Sequence, residues 1–409
     1  MEKEIQNKRI PISLLRIVTD FYPIQGGSVT HVIELIHKID PFIAKQTLIC
    51  PIYENAEYSK FDDEFLVPIT RIRYNLIQNQ QWSKIPGVST LNLIFYAYNI
   101  TKAIIELNKS HKSIDIIHIH RFDLGIIINL FLKIERITIP VVIMTHGNPL
   151  NEDVPIRSKL FTIIFRKGIL RYFKPNFVLL LDDGTLSDSL FALLQNNNIQ
   201  FKIVFHAIDT DLYSPLNIVE KKNGFIILSP HRLEQSKRVD LGIVIFEKFF
   251  KLLTRPKNLK LKIAGTGSEM DQLKEFVKEM GIQENVLFLG SLSIEDTRNE
   301  MLSSDVIIGT SLISNINRSI QEAMACAKPV VIFFHNNKGI LTHKENCLIS
   351  KPGDIEGFVD NLKLLYQNEK FREFLGLNAR NTIIQQRSWD FRLKQELEVY
   401  QKIISRINK

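Results

Sequence analysis

Short runs of Ile, Val and Leu recur along the chain, separated by longer stretches in which apolar residues return every three or four positions. Unalternated runs suit strands buried on both faces. Their alternation with helical spacing predicts parallel sheets built from βαβ units. The first half offers such strands at residues 14–19, 46–50, 114–119, 141–145, 177–181 and 201–205. The second half offers them at 225–229, 259–264, 286–289, 306–309 and 330–333. Val239, Ile243, Phe246, Phe250 and Leu253 follow one another at spacings of 4, 3, 4 and 3, which puts them on one helical face. The pattern breaks at Pro215 and turns polar over 214–223, which predicts a domain boundary. The closing stretch, 388–409, reads as a helix too polar to be central to either core.

A chain of 409 residues is long for one core, so two α/β domains are expected, 1–215 and 216–387, followed by the helix 388–409. Apolar content of 45% with 23% charged residues is ordinary for a globular protein. The net charge of +8 favours anionic partners, but Lys and Arg are spread along the chain, not gathered into tracts with interleaved aromatics. Nucleic acid is therefore not an expected partner. Cys50, Cys326 and Cys347 show no paired spacing, which argues against a disulfide framework or a zinc site and for a reducing interior. The first residues lack the basic-then-apolar layout of a signal peptide, and no apolar run reaches the roughly 18 residues of a spanning helix. A cytoplasmic location is expected.

Candidate chemistry sits where strands give way to helices. The segment 311–332 runs from a polar loop into a short helix and out into a buried strand. Such a loop presents free backbone N–H groups and the positive end of a helix dipole to a phosphate, with Glu322 one turn inside. Upstream, HRLEQSK places Arg232 and Lys237 on another strand-to-helix turn, where cations oppose the local dipole and so invite a functional explanation. Gly26-Gly27 after the first strand lets backbone approach a ligand closely, although such a turn is also an ordinary connection. Gly265 and Gly267 end a strand without the third glycine of a dinucleotide fingerprint, and suit the wall around a base or ribose better.

His118 and His120 share a strand face, and His118 reads as packed or hydrogen-bonded. His146, at a cleft-facing strand end, is better placed for a substrate. Asp209-Thr210-Asp211 and Asp182-Asp183 suit turn capping better than a metal, so no metal site is expected. Residues 154–174 carry Arg157, Lys159, Arg166, Lys167, Arg171 and Lys174 among apolar neighbours and no acidic residue. That composition fits peripheral contact with an anionic membrane, and equally a domain helix with a basic outer face.

Taken in order, DFYPIQGGSVTHV, DIIHIH, the THG turn, HAIDTDLYSP, HRLEQSKRVD, IAGTGSE, VLFLGSL, SSDVIIGTS and RSIQEAMACAKPVV resemble the family-4 glycosyltransferases of the GT-B fold over nearly the whole chain. The resemblance implies two Rossmann-like domains facing across a cleft, with the last helix crossing back near SWDF to the N-terminal domain. It also implies retaining transfer from a nucleotide-diphosphate sugar to a glycan or lipid-linked acceptor, with no metal and no cofactor beyond that substrate. By position, Arg232 and Lys237 would neutralise the departing diphosphate, Glu322 would bind the ribose, and His146 would contact the donor sugar. Gly26, Gly27, Gly265, Gly267, Ser314, Asn315, Asn317, Arg318 and Ser319 would complete the donor site. The chain departs from the family at Ser314, where a second glutamate is general, and more mildly at Ala207. Either Asn315 and backbone amides orient the sugar, or the protein is a catalytically impaired member that binds nucleotide or a partner transferase.

Overall fold

The computed structural model of the chain describes residues 9–24, 27–53, 57–74, 88–110, 113–146, 170–182, 186–216, 224–312, 316–334 and 340–407, without the side chains of 27, 28, 88, 89 and 146. It divides into two compact units, Met1–His206 with Arg392–Lys409, and Ala207–Phe391. The first unit holds a seven-stranded parallel sheet in the order β3-β2-β1-β4-β5-β6-β7. Its strands are β1 (Ile10–Ile17), β2 (Ile43–Ile52), β3 (Ile69–Arg73), β4 (Ile116–Ile119), β5 (Val141–His146), β6 (Phe177–Leu181) and β7 (Phe201–Val204). The second unit holds six parallel strands in the order β10-β9-β8-β11-β12-β13. These are β8 (Phe225–Pro230), β9 (Leu259–Ala264), β10 (Val286–Gly290), β11 (Val306–Gly309), β12 (Val330–Phe333) and β13 (Leu348–Ser350).

The apolar runs become strands for the expected reason: β6, β8, β11 and β12 are buried at every residue, as sheets covered by helices on both faces demand. The predicted helical face is real in the helix Val239–Leu252, where Val239, Ile243, Phe246 and Phe250 enter the core of the second unit. Each such buried side chain contributes about 1.5–3 kcal/mol.

In both sheets the first strand lies beside the fourth, so the connections leave β1 and β4, and β8 and β11, in opposite directions. A crevice opens at that reversal, outside the strands' C-terminal ends, and ligands of doubly wound sheets bind there.

The closing helix, Trp389–Ile407, corrects one expectation. From Arg392 on it belongs to the first unit, and Arg392, Leu393, Glu396, Leu397, Tyr400 and Ile403 are all buried. Its polar residues are inside because the sheet supplies their partners. Arg16 on β1 donates from Nη2 to Glu396 Oε1 at 2.8 Å and from Nε to Gln46 at 3.2 Å, and its Nη1 lies 3.2 Å from ring nitrogens of both His118 and His120. The Tyr400 hydroxyl donates to Glu396 at 2.5 Å and lies 2.6 Å from His118 Nδ1. His118 is thus the packed, hydrogen-bonded histidine its strand position suggested.

Burial pushes the His118 ring down to about 4, Arg16 and Arg392 adding to the shift and Glu396 opposing it. The unfolded ring binds a proton near pH 6.5 and the folded ring does not. Stability therefore falls on acidification through that window and levels off below about 4. The first unit should lose about 2 kcal/mol between pH 7 and pH 5. Hydrogen exchange of the β1 and β4 amides, corrected for intrinsic rates, measures it, and H118N should flatten the slope. A wild-type protein equally protected at both pH values would contradict this assignment.

Candidate functional site

In the second unit the crevice between β8 and β11 is bordered by the loop 231–238 and the loop opening the helix Arg318–Ala325. The first loop is held from every side. Leu233 N donates to Thr266 O at 2.9 Å, and Glu269 N donates to Leu233 O at 3.1 Å. Thr310 and Ser311, just after β11, donate their hydroxyls to the backbone oxygens of Lys237 (3.2 Å) and Ser236 (3.1 Å). Gly265 and Gly267 explain how the β9 loop comes so close. A Cβ on Gly265, at φ +144°, would fall 2.1 Å from the His231 oxygen, and one on Gly267 would fall 2.2 Å from the Leu233 oxygen. These glycines are required by the packing of one loop on another, a role the sequence did not separate from a ligand wall.

Within that frame Arg232 projects outward, its side chain 73% exposed and paired with Glu234 at 2.9 Å. Lys237 closes the one-turn helix Gln235–Lys237, near enough for its charge to depress the His231 ring. Arg238 then adopts φ 49° to start the helix Val239–Leu252.

Across the crevice, Asn317 caps the helix Arg318–Ala325, its Oδ1 accepting from Ile320 N at 3.0 Å. Arg318 Nε donates to Glu322 Oε1 at 2.8 Å, and Ser319 is half-buried beside it. Glu322 is itself buried and also hydrogen-bonds Tyr213, whose phenol is pushed up by burial and then by that carboxylate. Thus the Arg232–Lys237 loop, Gly265, Gly267, Asn317, Arg318, Ser319 and Glu322 gather at one edge of one sheet.

The other donor-site candidates belong to the first unit or lie outside the described residues. His146 ends β5 and Gly27 opens the helix Gly27–Ile39, both in the first unit. Gly26, Ser314 and Asn315, like 154–169 of the basic segment, are not described. Asp209 Oδ1 accepts from the amides of Asp211 (3.2 Å) and Leu212 (2.9 Å), as a turn-capping carboxylate does. Among the described residues no cluster of His, Cys, Asp and Glu could hold a metal, and no helix is long and apolar enough to cross a membrane. His231, Thr310, Ser311 and Tyr213 escaped the sequence reading. A hydroxyl pair directly after a strand was the available signal for Thr310 and Ser311.

Two doubly wound sheets with a last helix returning to the first unit define a GT-B protein. A glycosyltransferase from Rickettsia africae superposes with a TM-score of 0.70 at 19% identity, covering 96% of this chain and 99% of that one. Anabaena HepE, crystallised in complex with UDP, gives 0.70 at 16% identity over 96% and 100%. Residues 216–382, within the second unit, match the family profile described as Glycosyl transferases group 1. An uncharacterised glycosyltransferase of Methanocaldococcus jannaschii is 27% identical over 53% of this chain and 57% of its own length. The N-acetyl-alpha-D-glucosaminyl L-malate synthase of Bacillus anthracis is 24% identical over 71% of this chain and 74% of its own. The chain thus spans just over half of the first relative and about three quarters of the second.

Proposed function

We propose that the protein is a retaining glycosyltransferase, moving a sugar from a nucleotide-diphosphate donor to a glycan or lipid-linked acceptor without a bound metal. One observation carries the reading: in the group 1 segment, the Arg232–Lys237 loop is tied by Thr310 and Ser311 to the loop opening a capped helix. The bond from the sugar's anomeric carbon breaks toward the diphosphate, which takes the electron pair and gains charge. Cations and helix N–H groups fixed in advance lower that barrier. The described residues supply these groups on protein side chains and backbone, and Glu322 is the group offered to the ribose.

Ser314 favours a second reading, a member that binds nucleotide without turnover, because a hydroxyl cannot supply the carboxylate general at that position. Calorimetric titration with UDP and GDP, followed by a donor-hydrolysis panel, separates the two. Binding with turnover supports the transferase, and binding without turnover on any donor supports the alternative. Failure to bind either nucleotide removes both.

The proposed setting is cytoplasmic, with peripheral contact to an anionic membrane through 154–174. Exposed Arg171 and Tyr172, the latter 72% exposed, end that segment within the described residues. Co-sedimentation with anionic vesicles should be strong at low salt and lost at high salt. No salt-sensitive binding would remove the membrane contact.

A further inference from the structure

We infer that His231 is a positioning residue, orienting the side-chain amide of Asn317 and through it the N-terminus of the helix Arg318–Ala325. The role rests on the donor-site reading above, and it names a residue that reading does not use.

His231 is buried at the mouth of β8, with Nε2 3.0 Å from the carbonyl oxygen of Ile308 on β11. A carbonyl only accepts, so Nε2 carries the proton. Burial, and then the Lys237 charge, push the ring down to about 4, so at neutral pH it holds no second proton and Nδ1 presents a lone pair. Asn317 Nδ2 lies 3.3 Å from that Nδ1 and can donate to it. The other end of the same amide, Oδ1, accepts from Ile320 N as the helix cap.

A flipped amide would set two lone pairs face to face and turn an N–H donor toward the Ile320 N–H. The Ile308 carbonyl thus selects the ring tautomer, the tautomer selects the amide orientation, and that orientation makes the cap. The first-turn amides of Arg318 and Ser319 are held at the crevice edge by this chain of three contacts, which joins β8, β11 and the helix. Polar matching at a buried site specifies a single arrangement in this way because the alternatives leave groups unpaired.

The test is a double-mutant cycle on nucleotide affinity with a spectroscopic readout. H231F and N317A should each weaken UDP or GDP binding about tenfold, and the double variant should also lose about tenfold, not a hundredfold. Additive losses, or an effect of N317A without one of H231F, would overturn the inference. Long-range proton–nitrogen spectra of the imidazoles should show His231 of the wild type protonated at Nε2 alone. N317D keeps a capping oxygen but sets a carboxylate against Nδ1, and should raise the ring's protonation midpoint by more than about one unit. An Nδ1-protonated neutral ring, or a midpoint unmoved by N317D, would also overturn it. If the wild type binds neither nucleotide, the donor-site reading fails, while the spectra still judge the His231–Asn317 pairing by itself.

Discussion

Replacing Glu396 with alanine should lower the unfolding free energy of the first unit by about 3–5 kcal/mol, the cost of stranding buried charge. Glu396 has no exposed side-chain surface, and it is the carboxylate that both buried guanidinium groups contact. Arg16 Nη2 lies 2.8 Å from Oε1 and Arg392 Nη2 lies 2.6 Å from Oε2. Burial alone would raise its pKa, but Arg392 and Arg16 outweigh burial and hold the carboxyl well below the ordinary carboxylate range. Its contribution is therefore fully present at neutral pH and is lost progressively as the pH falls from the ordinary carboxylate range toward that low folded value. Alanine leaves two desolvated cations beside the His118 and His120 rings and the Tyr400 hydroxyl, with no carboxylate between them. E396Q, which keeps hydrogen-bonding atoms and loses the charge, should fall between. Denaturant unfolding followed through the first unit's amides measures the series, and a loss below about 1 kcal/mol for E396A would show that water reaches the site.

The same cluster marks a limit of what the residue order reveals. The stretch 388–409 reads as too polar to be central to either core, yet Arg392, Gln395 and Glu396 are among its buried residues. Polarity along a segment does not show that a partner waits some 380 positions earlier, as Arg16 does for Glu396. By contrast, strands such as β6 and β12 were legible because burial on both faces leaves no alternation to misread. The strands that went unread are edge strands. β3, ITRIR, carries two arginines, and β13 has only three residues. An edge strand is covered on fewer sides, so its composition is less constrained.

The site divides in a similar way. Arg232 and Lys237 stand out in the sequence as cations that oppose the dipole at a strand-to-helix turn, and Glu322 as a carboxylate one turn inside a helix. The hydroxyl ties of Thr310 and Ser311, and the tautomer of His231, depend on which loops the strand order brings together. A doubly wound sheet puts the turn after its first strand against the turn after its fourth, and only the order β9-β8-β11 reveals that neighbour. Gly265 shows both sides: the glycine was visible, and its reason, the His231 oxygen 2.1 Å from a would-be Cβ, was not.

Arg232→Ala should leave the fold intact and reduce donor turnover about a hundredfold or more, on the order of 3 kcal/mol of transition-state stabilisation. Stability should hardly change, because the side chain is 73% exposed and its pair with Glu234 is a surface pair of little net value. The loop keeps its place through backbone contacts the substitution does not touch, Leu233 N to Thr266 O at 2.9 Å and Lys237 N to Glu234 O at 2.8 Å. On the proposed donor-site reading, what is lost is a planar fork of donors beside a leaving diphosphate that gains charge. R232K should therefore recover the charge but not the two-pronged geometry, and sit between alanine and wild type. Affinity for the intact nucleotide-sugar should weaken less than turnover, because the diphosphate carries more charge in the transition state than in the bound donor. The informative comparison is kcat against the dissociation constant for the intact donor, with affinity for UDP or GDP beside it, at matched thermal stability. Equal turnover and equal affinity in R232A and wild type would remove Arg232 from the donor site, and with it the placement of the diphosphate beside the β8 turn.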